Sequence, residues 1–309
     1  MKKNAFDHLV GQKNVKKKLN FYLKAFNKTS ICPFLGFFGA KGLGKTAFAN
    51  SFAANLRNQD GSRRPVLELN CSTIKNNDHF FDQIFIPLIL DNEITILFDE
   101  AHELPRDLTM ALLTILDTSS SHVREVTWKE TRFPFNFKKQ TFMFATTESD
   151  KLFPPLKDRL TSVDFESYNN VELGDILSNS LECKVDKNVL KDLSDVVRGN
   201  ARNAVMKAKD INLFADSENL NNFTKKDYLS FCDTLGVLPY GITCTEKQIL
   251  EVLQEKGECT LSMLAAKTGL SSTSLRSDHE KYLLKQNLME IDVKRKITPK
   301  GRKLIKSIN

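Results

Sequence analysis

Residues 39–46 read Gly-Ala-Lys-Gly-Leu-Gly-Lys-Thr, a complete G-x-x-x-x-G-K-[ST] phosphate loop. An apolar run (Phe34, Leu35, Phe37, Phe38) precedes it and a helix-like segment, Lys45–Asn55, follows. That order restricts the fold sharply. A strand must feed a glycine turn that aims backbone N–H groups and a helix N-terminus at a polyphosphate. The turn belongs at the carboxyl edge of a parallel α/β sheet, where open sheets of this kind bind ligands. Gly39, Gly42, Leu43, Gly44, Lys45, Thr46 and Ala47 are therefore expected to hold the phosphates of a nucleoside triphosphate, with Lys45 on the β/γ-phosphates and the Thr46 hydroxyl on Mg²⁺.

Short apolar runs alternate with helical patterns through residues 1–167, as βαβ units demand. The expected strands are Phe34–Gly39, Val66–Cys71, Thr95–Asp99, Thr141–Thr146 and Ser162–Phe165, with helices over Lys45–Asn55, Asp78–Ile84 and Leu108–Leu116. Their near-continuous apolar character predicts parallel strands covered on both faces. From Val171 the strand signals vanish and apolar residues recur at helical spacing, which predicts a small all-helical domain over 168–240. Leu238-Pro239-Tyr240-Gly241 punctuates its end. Residues 241–309 then read as helix, helix-turn-helix and basic hairpin, the order of a winged helix.

The chain's 309 residues exceed one ordinary core, which agrees with three domains. Its net charge of +7 is placed unevenly. Residues 1–28 carry eight Lys against one Asp, and residues 281–309 carry nine Lys/Arg against two acidic residues. Two basic ends predict contact with a polyphosphate, most economically nucleic acid; a solvated lysine-rich surface is the bland alternative. Lys294, Arg295, Lys296, Lys300 and Arg302 are the expected DNA phosphate contacts. The six cysteines form no C-x-x-C pair, no apolar run reaches the length of a membrane span, and no signal peptide is legible. A cytoplasmic location and no membrane partner are expected.

Hydrolysis of a triphosphate needs a held metal, an oriented water and positive charge on the γ-phosphate. The strand Ile94–Phe98 ends in Asp99-Glu100. Asp99 is expected to hold Mg²⁺ and Glu100 to polarise the attacking water as general base. His102 reads as no more than the start of the next loop. Thr141–Ala145 ends in Thr146-Thr147, where a hydroxyl could meet the γ-phosphate, or equally end a strand without a ligand. Arg159, before the last strand, could insert into a neighbour's site or serve a surface ion pair. Arg202 could bridge the helical domain to the phosphates, with Arg198 the lesser candidate.

This order of parts resembles the AAA+ ATPases, and in detail the RuvB-type Holliday-junction branch-migration motors. Phe6-Asp7-His8-Leu9-Val10-Gly11-Gln12 looks like that family's nucleotide-binding box, which brings Val10 to the cofactor. Gly39–Thr46 matches its Walker A and Phe98–Leu104 its Walker B. Ala145-Thr146-Thr147 resembles sensor 1, with Thr146 the favoured residue. Leu156-Lys157-Asp158-Arg159 resembles the arginine-finger box and Arg198–Ala204 the sensor-2 box. Glu280–Leu284 and Thr298–Arg302 are similar to its winged-helix signature. The resemblance implies a catalytic set of Lys45, Asp99, Glu100, Thr146 and Arg159, a homo-oligomeric ring (a hexamer), and action on DNA.

Three departures stand out: Ala40-Lys41 where the family usually has two prolines, Lys157 where arginine is usual, and the content of 121–138. There the family carries a hairpin that docks a RuvA-like junction-binding partner. Val123, Val126 and Trp128 could offer that contact or pack inward, which leaves the partner in doubt. A clamp- or helicase-loader-type factor shares every catalytic feature named, and a sequence-specific regulator remains a third reading of the winged helix.

Overall fold

The computed structural model describes residues 5–116 and 122–308. The chain divides into two compact units, Met1–Tyr168 and Asn169–Asn309. In the first, α1 (Lys13–Thr29) precedes β1 (Leu35–Phe38), α2 (Lys45–Ala54) and β2 (Val66–Asn70). Next come α3 (Asn77–Phe80), which runs into a wider helical turn over Phe81–Ile89, then β3 (Ile94–Asp99) and α4 (Arg106–Ile115). A hairpin of β4 (Val123–Trp128) and β5 (Thr131–Asn136) leads to β6 (Gln140–Thr146), α5 (Pro154–Lys157) and β7 (Thr161–Asp164).

Five of these strands form one parallel sheet in the order β2-β3-β6-β1-β7. Every residue of β1 and β6 is buried, whereas edge strand β2 alternates. Central parallel strands covered on both faces read as apolar runs, so all five expected strands fall within about a residue of their observed bounds. Aromatic stacking fixes the middle of the core: Phe98 lies 4.9 Å from Phe144 with rings 9° apart.

The hairpin is tied down. Trp128 stacks on Phe81 at 4.7 Å, its Nε1 donates to Asp82 at 2.9 Å, and Lys129 pairs with Asp82 at 2.6 Å. The lone tryptophan therefore packs inward, and Val123 stays exposed. The side chain of Val126 lies outside the described residues.

The second unit opens with helices α6 (Asn170–Ser180), α7 (Lys187–Val196), α8 (Ala201–Ser217) and α9 (Lys225–Thr234). A two-residue parallel ladder, β8 (Lys184–Val185) with β9 (Asn222–Phe223), is inserted among them. Then follow α10 (Cys244–Lys256), β10 (Glu258–Cys259), α11 (Leu261–Thr268) and α12 (Ser272–Ser274). From α12 a wider turn over Leu275–Glu280 continues into α13 (Lys281–Lys285), ahead of β11 (Met289–Ile291), β12 (Arg295–Ile297) and α14 (Pro299–Ile308). Strands β10, β12 and β11 form the antiparallel sheet of a winged helix, over a core that includes Ile249, Leu253, Leu264, Leu283 and Leu304.

Separate domains at 168–240 and 241–309 were expected, but the two parts cluster as one unit. The physical reason is a polar lock. Glu246, 0 % exposed, caps its own helix by accepting from the Thr243 N–H and receives the Arg198 guanidinium at 2.7 Å. That guanidinium sits 3.8 Å from the centre of the Tyr282 ring. Gly241 closes the seam: at φ 61° it lies so near the Val196 carbonyl that a Cβ would approach within 2.1 Å. Arg198 thus serves packing rather than nucleotide.

Candidate functional site

The phosphate loop takes the geometry its glycines permit. Gly39 (φ 152°) would drive a Cβ to 2.9 Å from Phe165, so no larger residue fits the turn. Gly44 caps α2 in the left-handed region and leaves the first N–H groups of that helix facing the loop. Lys45 is buried and its Nζ donates to the Gly39 and Ala40 carbonyls at 2.7 and 2.9 Å, over the mouth of the loop. Leu43 is fixed from behind, its carbonyl accepting from the Tyr168 hydroxyl at 3.0 Å. Ala47, in the first turn of α2, is exposed, and the segment containing the half-buried Val10 is anchored where the Gln12 side chain donates to the Glu166 carbonyl at 2.7 Å.

Strand β3 delivers Asp99 beside β1's loop, and the Thr46 hydroxyl donates to Asp99 Oδ2 at 3.2 Å. Two hard oxygen donors at that separation suit a magnesium ion that keeps most of its waters. Glu100 follows in the left-handed region (φ 51°, ψ 49°), a conformation that costs a non-glycine residue about 1 kcal/mol or more. The strain turns its carboxylate away from the strand, where Oε2 accepts from the Thr147 hydroxyl at 3.2 Å. Carboxylate charge is concentrated here: burial pushes the Cys71 thiol up, and Asp99 and Glu100 add to it.

Thr146 and His102 meet at the end of β6. Thr146 is fully buried, and its hydroxyl is bonded to His102 Nδ1 at 2.9 Å and accepts the Glu148 N–H at 3.0 Å. Thr147, one residue on, is the hydroxyl that meets Glu100. Strand alternation sends neighbouring side chains to opposite faces, so spacing alone could not choose between them. His102 is no idle loop residue: its side chain is 6 % exposed, with Nδ1 also 3.6 Å from Glu100 and Nε2 3.3 Å from Glu103 and 3.4 Å from Glu148.

Lys45, Thr46, Asp99, Glu100, Thr146 and Thr147 therefore converge. Arg159 does not: among the described residues its guanidinium contacts only the Pro155 carbonyl, at 2.8 Å, and touches none of that cluster. Arg202 belongs to the second unit, exposed in the first turn of α8, where Asn200 caps its N–H at 2.9 Å.

The basic residues of the wing separate into two groups. Arg295 is committed to Glu280 through both nitrogens at 2.7 and 3.3 Å, both side chains nearly buried. Lys300 donates to the Gln286 carbonyl at 2.8 Å and lies over the Tyr240 ring. Both side chains are engaged inside the fold, Arg295 by a carboxylate and Lys300 by a neutral carbonyl and a ring. Lys296 shares Glu258 at 2.8 Å with Lys294 at 3.7 Å. Arg302 is exposed, as are Arg276 and Lys281 on the second helix of the helix-turn-helix, and Val293 at the wing tip is 86 % exposed. Glu280, between them in sequence, points inward to Arg295 and does not offset their charge at the surface.

Comparison with known proteins agrees with this geometry. Residues 35–167 match the model for the ATPase family associated with various cellular activities, and residues 239–306 match the RuvB C-terminal winged helix domain. The Holliday junction branch migration complex subunit RuvB of Campylobacter lari is 28% identical over 304 residues, covering 94% of this chain and 87% of that protein. Its namesake from Ligilactobacillus salivarius is 25% identical over 318 residues, covering 98% and 88%. A solved structure of Thermotoga maritima RuvB, described as a Holliday junction branch migration motor, superposes with a TM-score of 0.72 at 22% identity over 96% of this chain and 95% of that one. A variant of the same protein gives 0.74 at 21% identity over 99% of both chains.

Proposed function

The chain belongs to the RuvB-type AAA ATPases, and from that premise we propose that it is the ATP-driven subunit of a ring, a hexamer, that migrates branched DNA. The observation that carries the reading is a Thr46–Asp99 pair beside Glu100, whose backbone is left-handed, on the same chain as a RuvB-type winged helix. The backbone of Gly39–Ala47 and the side chain of Lys45 bind the phosphates, and the box around Val10 lies against the base. Thr46 and Asp99 would hold Mg²⁺, which would supply positive charge against the triphosphate. Glu100 accepts a proton from the attacking water. Thr147 fixes the rotamer of that carboxylate, and His102 with Thr146 holds the strand end behind it.

Arg159 acts on the site of a neighbouring subunit, where it stabilises the charge of the transferring phosphoryl group. Arg202 reports the same phosphates to the helical part of the second unit. Because that part is locked to the winged helix by Arg198, Glu246 and Tyr282, any rotation it makes is carried to the DNA-binding face. Arg302, joined by Arg276 and Lys281, contacts phosphates there without reading bases, and Lys294 and Lys296 do so by exchanging their exposed partner Glu258 for a phosphate.

A RuvA-like partner is a weaker expectation: Trp128 is withdrawn onto Phe81, which removes an aromatic anchor from the hairpin on which the resemblance places docking. The deciding experiment compares branch movement on a synthetic four-way junction with ATP turnover. Migration that stops on Glu100→Gln and on Arg302→Ala supports the motor. ATP turnover with no movement of the branch point, with or without a RuvA-like protein, identifies a loader instead.

A further inference from the structure

We infer that the solvent face of α1 is a second nucleic-acid surface, suited to a DNA strand with unpaired bases. Lys13, Lys17, Phe21, Lys24 and Lys28 are all exposed. At 3.6 residues per turn they fall within an arc of about 80° and run along about 22 Å of helix. No acidic residue occurs anywhere in Lys13–Thr29. The two other lysines of the helix turn aside, Lys16 to the Leu9 carbonyl and Lys18 to the Ser162 carbonyl. Among the described residues the four stripe lysines make no hydrogen bond or ion pair. One carboxylate, Glu166, meets the helix at Asn14, at 3.5 Å.

This arrangement works against the helix itself. Lys13 and Lys17, and again Lys24 and Lys28, are like charges four residues apart, and Lys13 stands in the first turn, against the macrodipole. A polyanion laid along the stripe relieves all three penalties. Phe21, 64 % exposed, interrupts the lysines with an edge contact to Tyr22 at 5.2 Å. A merely solubilising face has no use for that ring, whereas cations alternating with an aromatic form the stacking platform of single-strand binders. A lipid surface is the poorer fit: the apolar residues Val15, Leu19 and Phe26 are buried, which leaves one outward ring to insert. None of this depends on the winged helix, which occupies the other unit.

The test uses the full chain, a labelled oligothymidylate and a blunt duplex, each titrated across a salt series. Replacing Lys13, Lys17, Lys24 and Lys28 together by Gln should flatten the log–log salt slope for oligothymidylate by about 0.7 per lysine that contacts a phosphate. Phe21→Ala should weaken oligothymidylate binding about tenfold, with the slope retained and duplex binding little changed. Arg302→Ala should do the reverse, lowering duplex binding only, so that failure of the wing reading and failure of this one give different patterns. The inference is overturned if both α1 variants bind oligothymidylate like the parent. It is equally overturned if their loss appears only in phosphatidylserine vesicle binding, or only as lost self-assembly in sedimentation.

Discussion

The nucleotide cluster and the wing both carry dense charge, yet they spend it in opposite directions. Around Asp99 the polar groups converge on ligand space: Thr46 meets Asp99 at 3.2 Å, Thr147 meets Glu100 at 3.2 Å, and the Glu100 backbone is held in a left-handed turn to aim its carboxylate. In the wing several charges converge on the protein itself, with Arg295 buried against Glu280 and Lys296 paired to Glu258. Chemistry of phosphoryl transfer fixes the spacing of the first set. Nothing fixes the second except local packing, so a basic run in sequence overstates the charge it presents.

The contrast is tested first where the effect is largest. Glu100→Gln should lower ATP turnover about 10²–10⁴-fold, the usual worth of a general base, while ATP binding survives. An unchanged rate in a steady-state assay would remove Glu100 from the mechanism. Glu280→Ala should destabilise the second unit by about 3–5 kcal/mol, read by chemical denaturation, because it strands a nearly buried guanidinium. If that variant melts normally and instead loses DNA affinity, Arg295 belongs to the interface after all. His102→Ala, which leaves the buried Thr146 hydroxyl with the Glu148 N–H as its one remaining partner, should cost about 1 kcal/mol of stability in the first unit.

Much of this was legible. The five sheet strands announced themselves as apolar runs, and the residues that meet at the phosphate loop, Thr46 and Asp99 among them, lie in the two motifs G-x-x-x-x-G-K-T and Asp99-Glu100. What could not be read depends on side chains meeting across the fold. Thr146 and Thr147 differ only in strand phase, and Arg295 finds Glu280 fifteen positions away through the hairpin. His102 is placed by contacts to Glu103, Glu148 and Thr146 that no local pattern encodes. The α1 stripe was visible as net charge but not as a face, since lysines dilute the apolar period of Val15, Leu19 and Phe26.

Smaller effects sharpen the contrast. Arg302→Ala should flatten the salt slope of duplex binding by about 0.9 with no change in thermal stability, whereas Arg295→Ala should show the opposite pattern. The hairpin supplies a pH test. Hydrogen bonds from Lys129, then Trp128, hold the Asp82 carboxyl below its usual range. A lowered folded-state value means the clamp is intact above the ordinary carboxylate range and is lost as pH falls through the lowered one. Fluorescence of the lone Trp128 should therefore stay constant down to about pH 4 and change only below it; in Asp82→Asn it should already be altered at neutral pH.

Sharing of one site between two subunits is probed most directly by mixing two dead variants. Glu100→Gln keeps its arginine and Arg159→Ala keeps its carboxylate, so co-assembled rings contain some boundaries with both intact. Steady-state ATP turnover of the equimolar mixture should rise well above either variant alone, toward about a quarter of the parent rate on random assembly. A mixture that turns over no faster than the mean of its parts would contradict the account.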